Sequence, residues 1–378
     1  MRSDSVVKLA LVIAVCLGFV GGPAVGQQVP NNFTPPSALV VTHAAVDPTT
    51  GDLLIVSNAW REVRRDLRRF HADGSPDPSF VLQRYEACCE IQPSLVAVDP
   101  KGDVYSLEYG DELGGFYIYK HTPTGDLVID WGEKEGSIAV NTGSSTTTSP
   151  TGGYEAGQTS LDWNAGGGRL HFYFSDPVDL IARPDGTLLV LDRAQMYVYL
   201  VSADGRQISQ FIGKQGYIPR NPLKMLIDQE GYIYIVDYHD QYDINRAGMT
   251  GLFRFTSDGT WQEGWGEASG GINDPGRSEF DINTLVIDGS GRIIALGGRS
   301  DVNHSEALIF DSGTGALVSR GFVQYRMGRD DTYLGILGRL DGGFIVFDGI
   351  SFEIQVSYYT ADGVREKMVA ITDLYSIE

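Results

Sequence analysis

His43, Asp179 and Lys224 are far apart in the chain, yet each stands four residues before the residue that opens a Gly-containing turn, namely Asp47, Arg183 and Asp228. An imidazole, a carboxylate and an amine at one position of a repeat can converge on one place, where they could exchange protons or hold a polar ligand. Thr284 takes the same position before Asp288, while Leu95 and Gly335 bring no chemistry to it. A structural alternative stands beside this reading: Asp179 and Lys224 pair with each other across a channel and do nothing more.

Three other groupings carry chemical potential. Arg61, Arg64, Arg65, Arg68 and Arg69 crowd into nine residues, a basic cluster suited to an anionic ligand, or else arginines that alternate outward on a strand and pair with local acids. Asp237, Asp240 and Asp243 are spaced by three in Asp237-Tyr238-His239-Asp240-Gln241-Tyr242-Asp243, and calcium would accept such oxygen ligands if the loop folds back; otherwise the run is a solvated acidic loop. Cys88 and Cys89 are adjacent and could close a strained redox-active ring, remain thiols, or reach another chain. Only one of the six histidines, His43, falls on the repeat position that faces inward, which disfavours a three-histidine zinc site.

The elements that must position these residues follow from the turns. First turns recur at Gly51, Gly102, Gly186, Gly231, Gly291 and Gly342, and second turns at Gly74, Gly125, Gly205, Gly259, Gly315 and Gly363. Apolar runs such as Leu95-Val96-Ala97-Val98 precede the first turns, and runs such as Tyr232-Ile233-Tyr234-Ile235-Val236 follow them, as buried strands require. Asp-Gly at the second turns supplies the hairpin dihedral. Four strands per unit and six units predict an all-β fold, a six-bladed β-propeller of four-stranded antiparallel blades. The blades are expected near residues 39–85, 93–132, 176–213, 221–266, 281–323 and 333–373, with a flexible Ser/Thr/Gly-rich insertion at 133–170 that is either lid or filler. Phe80, Trp131, Phe211 and Trp265, six residues past a second-turn Gly, are expected to pack between blades.

The strings Pro177-Val178-Asp179-Leu180-Ile181-Ala182-Arg183-Pro184-Asp185-Gly186 and Pro222-Leu223-Lys224-Met225-Leu226-Ile227-Asp228-Gln229-Glu230-Gly231, each followed by a strand ending in Asp, resemble NHL-repeat six-bladed propellers. The resemblance spans roughly residues 38–375 and is clearest in units three and four; the family's usual Asn-x-Arg after the Asp is missing beside Asp192 and appears only displaced, as Asn245-Arg246, in unit four. It implies a ring with a central channel, in a family that includes lyases and hydrolases holding a metal there.

In such a meander both kinds of turn lie on one face, and the strand two to three loops and interblade links lie on the other. The surplus length falls in residues 133–170, 239–249 and 264–280, all on the second face, which makes that face the expected binding surface.

Arg2 and Lys8, the apolar run Leu9 to Val20, and Ala24-Val25-Gly26 have the order of a secretory signal cut after Gly26. A lipid anchor on Cys16 would need a smaller residue than Val15 before it. Residues 27–378 would form the exported, periplasmic or extracellular propeller, with no membrane span in the mature chain. A formal charge of −20 repels phosphate backbones, which excludes nucleic acid as a partner. The expected function is a binding or scaffold module for a protein or a small polar ligand, through the variable face and the channel. The alternative is a lyase or hydrolase on a small polar or sugar-like substrate, with His43 as base and Asp179 or calcium in support.

Overall fold

The computed structural model describes the strands and most tight turns between Gln28 and Ile371; residues 1–27, 30–39, 59–64, 72–74, 83–90, 111–114, 133–136, 142–159, 162–169, 172–173, 213–218, 240–248, 267–270, 273–279, 300–304, 324–332, 340–341, 351–352 and 372–378 lie outside the described residues. Consecutive antiparallel strands form six sheets, and the chain is an all-β six-bladed propeller. The innermost strands are Val40–Val46, Ile91–Val98, Pro177–Ala182, Pro222–Ile227, Phe280–Ile287 and Tyr333–Arg339. Each touches the next, and the last touches the first, so the ring closes. No helix among the described residues is long and apolar enough to cross a membrane.

Every first-turn Gly, and every second-turn Gly but Gly74, which lies outside the described residues, has positive φ. The Asp that opens the first turn works with the Gly: Asp99 accepts the Lys101 N–H at 2.8 Å, Asp228 the Tyr232 N–H at 2.8 Å and Asp288 the Ser290 N–H at 2.8 Å. A short carboxylate that reaches its own downstream backbone holds the turn without help from elsewhere.

The apolar core is divided among the gaps between blades. Leu95, Tyr105, Leu107, Ile118 and Trp131 of blade 2 pack with Phe174, Leu180, Val190 and Tyr199 of blade 3. Trp131 also donates its indole N–H to the Ala203 carbonyl at 2.9 Å, and Trp265 repeats this on Ser312 at 2.9 Å. These rings sit over second-turn glycines of the following blade. A Cβ on Gly205 would lie 2.6 Å from the Trp131 ring, and one on Gly259 would lie 3.2 Å from the Phe211 ring. The aromatic positions expected between blades at Trp131, Phe211 and Trp265 are found there.

Two outer strands fall where the sequence predicts none. Blade 2 ends with Ser137–Asn141, inside the stretch read as an insertion, and blade 4 ends with Gly271–Ile272, beyond its expected boundary at 266. In both, the residues after the second turn form only one bridge, His121 to Leu127 and Phe255 to Trp261, before the Trp swings to the neighbouring blade. The pairing strand can form only after that excursion. Ser160–Leu161 and Leu170–His171 make a small hairpin, also within 133–170.

Gly205→Ala and Gly291→Ala both place a side chain at positive φ, which costs about 1–2 kcal/mol. Only Gly205 also faces a ring; a Cβ on Gly291 meets nothing within 4 Å. Urea unfolding is expected to show Gly205→Ala weaker than Gly291→Ala by a further ~1–3 kcal/mol from overpacking. Equal losses would contradict the interblade contact.

Candidate functional site

The repeat position that carries His43, Leu95, Asp179, Lys224 and Thr284 is set by a local irregularity. In blades 1 to 5 the pairing of inner and second strands slips by one residue just before it, at Val41/His43, Pro93/Leu95, Pro177/Asp179, Pro222/Lys224 and Ile282/Thr284. A bulge re-aims the side chain that follows it. Blade 6, where the position is Gly335, pairs without a slip.

In blades 2, 3 and 4 a Pro at or near the start of the inner strand lies opposite an acid at or near the end of the second strand: Pro93 with Glu108, Pro177 with Asp192 and Pro222 with Asp237. Proline has no N–H to give, so the carboxylate binds the residues ahead of it. Asp192 accepts the N–H groups of Ser175 and Asp176 at 2.6 and 3.2 Å, and Asp237 accepts those of Arg220 and Asn221 at 3.0 and 2.7 Å.

The bulges bring three of the four candidate side chains of this position together. Asp179, 2% exposed, accepts from Lys224 Nζ at 3.1 Å and lies 3.4 Å from His43 Nε2. Its oxygens also accept the Leu180 N–H at 3.0 Å and the Met225 N–H at 2.8 Å. His43, 6% exposed, receives the Val96 N–H on Nδ1 at 3.3 Å. A backbone N–H can only donate, so Nδ1 is the bare nitrogen and Nε2 carries the proton that points at Asp179. Thr284 is buried at the equivalent place on blade 5 and is not part of this contact.

Electrostatics follow from the same contacts. Burial pushes the His43 pKa down, and the Lys224 charge adds to this against the opposing pull of Asp179. Burial works against the charge on Asp179, yet Lys224, the His43 hydrogen bond and the Met225 N–H together hold its pKa below the usual carboxylate range. The cluster is thus a neutral imidazole beside a carboxylate–ammonium pair, with the ammonium the most exposed member at 17% of its side chain.

Beside this cluster the channel holds a cavity of about 80 Å³ that is partly open to solvent. Asp179 and Lys224 are its charged lining residues. Its walls run from there to the first-turn ends of the inner strands, through Ala45, Val98, Ala182, Leu226 and Ile287, up to Pro48 and Pro100. The described lining therefore reaches the face of the tight turns. Side chains of a blade point toward neighbouring blades, so these walls are largely strand edges.

The other candidates divide between engaged and undescribed residues. Asp237 has both oxygens on main-chain N–H groups, the arrangement of a cap and not of an open metal ligand. Asp240, Asp243, Arg61, Arg64, Cys88 and Cys89 lie outside the described residues, and Arg65 falls in the strand Arg65–Phe70 without a described side chain. Among the described residues no group of three or more His, Cys, Asp or Glu could hold a metal ion. Of the remaining arginines, Arg68 is exposed, whereas Arg69 is buried and pairs with Asp47 at 2.6 Å and Asp52 at 2.9 Å while reaching the Pro123 carbonyl of blade 2 at 2.7 Å. Arg69 is a latch between blades, and its burial had no signal in a run of five arginines.

No protein-family model matches the chain, and no curated protein matches it. Solved structures similar to it include Kuenenia stuttgartiensis hydrazine synthase, with 10% identity over 87% of this chain and 80% of that chain and a TM-score of 0.49. YCF48 bound to D1 peptide shares 11% identity over 93% and 89%, TM-score 0.45, and a nidogen/laminin complex 12% over 88% and 92%, TM-score 0.42. The functional argument stays with the geometry of this chain.

Because folding depresses the His43 pKa below its ordinary 6.5, the unfolded chain binds more protons there as pH falls below that value. Stability from this residue is therefore full above about pH 6.5 and declines as pH falls toward the folded value, by at most about 1.4 kcal/mol per pH unit. His43→Gln cannot titrate, so its urea midpoint is expected to fall less than that of the wild type between about pH 7 and about pH 5. Equal declines would show that His43 is not held neutral between Asp179 and Lys224.

Proposed function

We propose that the chain is an exported NHL-like propeller that binds a small polar ligand or the extended end of a protein in its channel. The observation that carries this is the cavity itself: walls of strand edge and small apolar side chains with one carboxylate and one ammonium among them. Edges offer backbone donors and acceptors to anything extended, and the ammonium, less buried than its partners, is the group a polar end would meet first. Export rests on the leader-like order of residues 1–26.

The enzymatic alternative needs His43 to take a proton from substrate. Its Nδ1 lone pair is occupied by the Val96 N–H, and its Nε2 proton faces Asp179. An imidazole so held is a structural bridge, and binding is the reading that uses the cavity without breaking it.

The test is a thermal-shift series with free amino acids, short peptides and simple sugars, each on the wild type and on Lys224→Met. A ligand at a hundred times its Kd stabilises the folded state by about 2.7 kcal/mol, a readily measured shift. At least one class is expected to raise the melting temperature of the wild type and to raise that of Lys224→Met much less. No shift with any class, or equal shifts in both proteins, would contradict a channel site.

A further inference from the structure

The lining of the channel cavity comes from the inner strands of blades 1 to 5 and the turns that follow two of them. Blade 6 gives none, and the other edge of its inner strand is paired in parallel by Gln28–Val29, Gln28 beside Gly338 and Val29 beside Arg339. Apart from Asp179 and Lys224, every lining residue is Ala, Val, Leu, Ile, Met or Pro, so among the described residues no side-chain hydroxyl or amide meets the cavity.

The donors and acceptors of the two charged residues are unequally used. A lysine ammonium has three N–H groups, and Lys224 gives one to Asp179 at 3.1 Å; no second protein acceptor takes the other two among the described residues. Asp179 is the reverse. Its Oδ1 faces Lys224, the Leu180 N–H and His43, and its Oδ2 accepts the Met225 N–H, which uses about all of the four lone-pair sites of a carboxylate. The backbone at this level is committed too, because the N–H groups of Val96, Leu180 and Met225, all lining residues, go to His43 and Asp179.

The cavity therefore presents spare N–H donors on one cation, a carboxylate already filled, and an apolar remainder. A matching ligand brings a charged acceptor to Lys224, where the hydrogen bond is charge-assisted. It brings no ammonium, which Asp179 cannot accept, and few hydroxyls, which would lie unpaired against apolar side chains. Its size is limited as well. A volume of about 80 Å³ is about half that of a cavity that takes benzene, so about three to five non-hydrogen atoms fit, and the rest of a longer molecule must leave through the open side.

We infer that the cavity is a carboxylate site, in which Lys224 Nζ holds the carboxylate of a short aliphatic acid or of the aliphatic carboxy-terminal residue of a peptide, with the alkyl part against the apolar lining. The inference rests on the reading of the channel as a ligand site, and it excludes sugars and free amino acids from that site.

Carbon-13 methyl NMR of the methionine-labelled chain tests it, because Met225 lines the cavity and is 2% exposed. Propionate, propionamide and alanine are titrated into the whole chain and into Lys224→Met. Propionate is expected to shift the Met225 methyl saturably. Propionamide has the same shape without the charge, and it is expected to bind at least about tenfold more weakly, the loss of one charge-assisted hydrogen bond. Alanine is expected to bind at least about tenfold more weakly as well, and Lys224→Met to lose the response to propionate. If Lys224→Met does not fold, the ratio of propionate to propionamide in the parent chain decides. Equal affinity for propionate and propionamide, alanine as tight as propionate, or propionate retained in folded Lys224→Met would each overturn the carboxylate site. No response to propionate would overturn it too. A sugar that stabilises the parent and not Lys224→Met would then keep the channel as a ligand site, whereas failure of every class would discard both. An acetylated tripeptide ending in alanine separates the two sources: binding about tenfold tighter than propionate assigns a polypeptide end, and equal or weaker binding assigns the free acid, each in support of the carboxylate site.

Discussion

A closed ring of antiparallel blades, three-stranded in blade 1 among the described residues and four-stranded in the rest, gives the axial edge of its innermost strands no neighbour from within the blades. Six such edges surround the channel, five of them with no strand beside them among the described residues, and buried backbone groups of this kind are costly unless something reaches them. The centre of this molecule is organised by the ways they are answered. His43 takes the Val96 N–H, Asp179 takes those of Leu180 and Met225, and Gln28–Val29 lies along blade 6. The cavity lies beside these contacts, and the proposed function follows from it.

The polar cluster is therefore as much a consequence of the ring as a site in it. Asp179 bonds the strand that bears it and the neighbouring strand through backbone, Lys224 through charge, and blade 1 through His43. Removing one member of a buried ion pair costs about 3–5 kcal/mol because the other is left uncompensated. Away from the axis the blades are tied differently, by Trp131, Trp265 and Arg69 donating to carbonyls of the following blade. The axis is polar and the periphery aromatic, and both bind a blade to its neighbour.

The fold was legible because each turn needs a residue that only Gly supplies cheaply, and because four of the six first turns open on an Asp. Aligning the turns placed His43, Asp179 and Lys224 at one level, which the structure shows. It could not show the bulge that aims them, since the extra residues Val178 and Leu223 look like any apolar strand residue. Nor could it show which face the cavity reaches. Loop length pointed to the long-loop face, whereas the described lining of the cavity reaches the tight turns at Pro48 and Pro100. Ser137–Asn141 was hidden because its strand forms only after Trp131 has crossed to the next blade, and Gln28–Val29 because two residues carry no period.

The central claim is that side chains satisfy the free strand edges at the axis, and His43 reports on it most directly. Nitrogen-15 NMR of the chain labelled at histidine distinguishes a bare Nδ1 from a protonated one. The account requires His43 to be the neutral Nε2–H form at neutral pH and to stay so as the medium is acidified past the ordinary histidine pKa of 6.5. A protonated Nδ1, in either the other neutral form or an imidazolium, would mean that the Val96 N–H is not held by His43, and would contradict it.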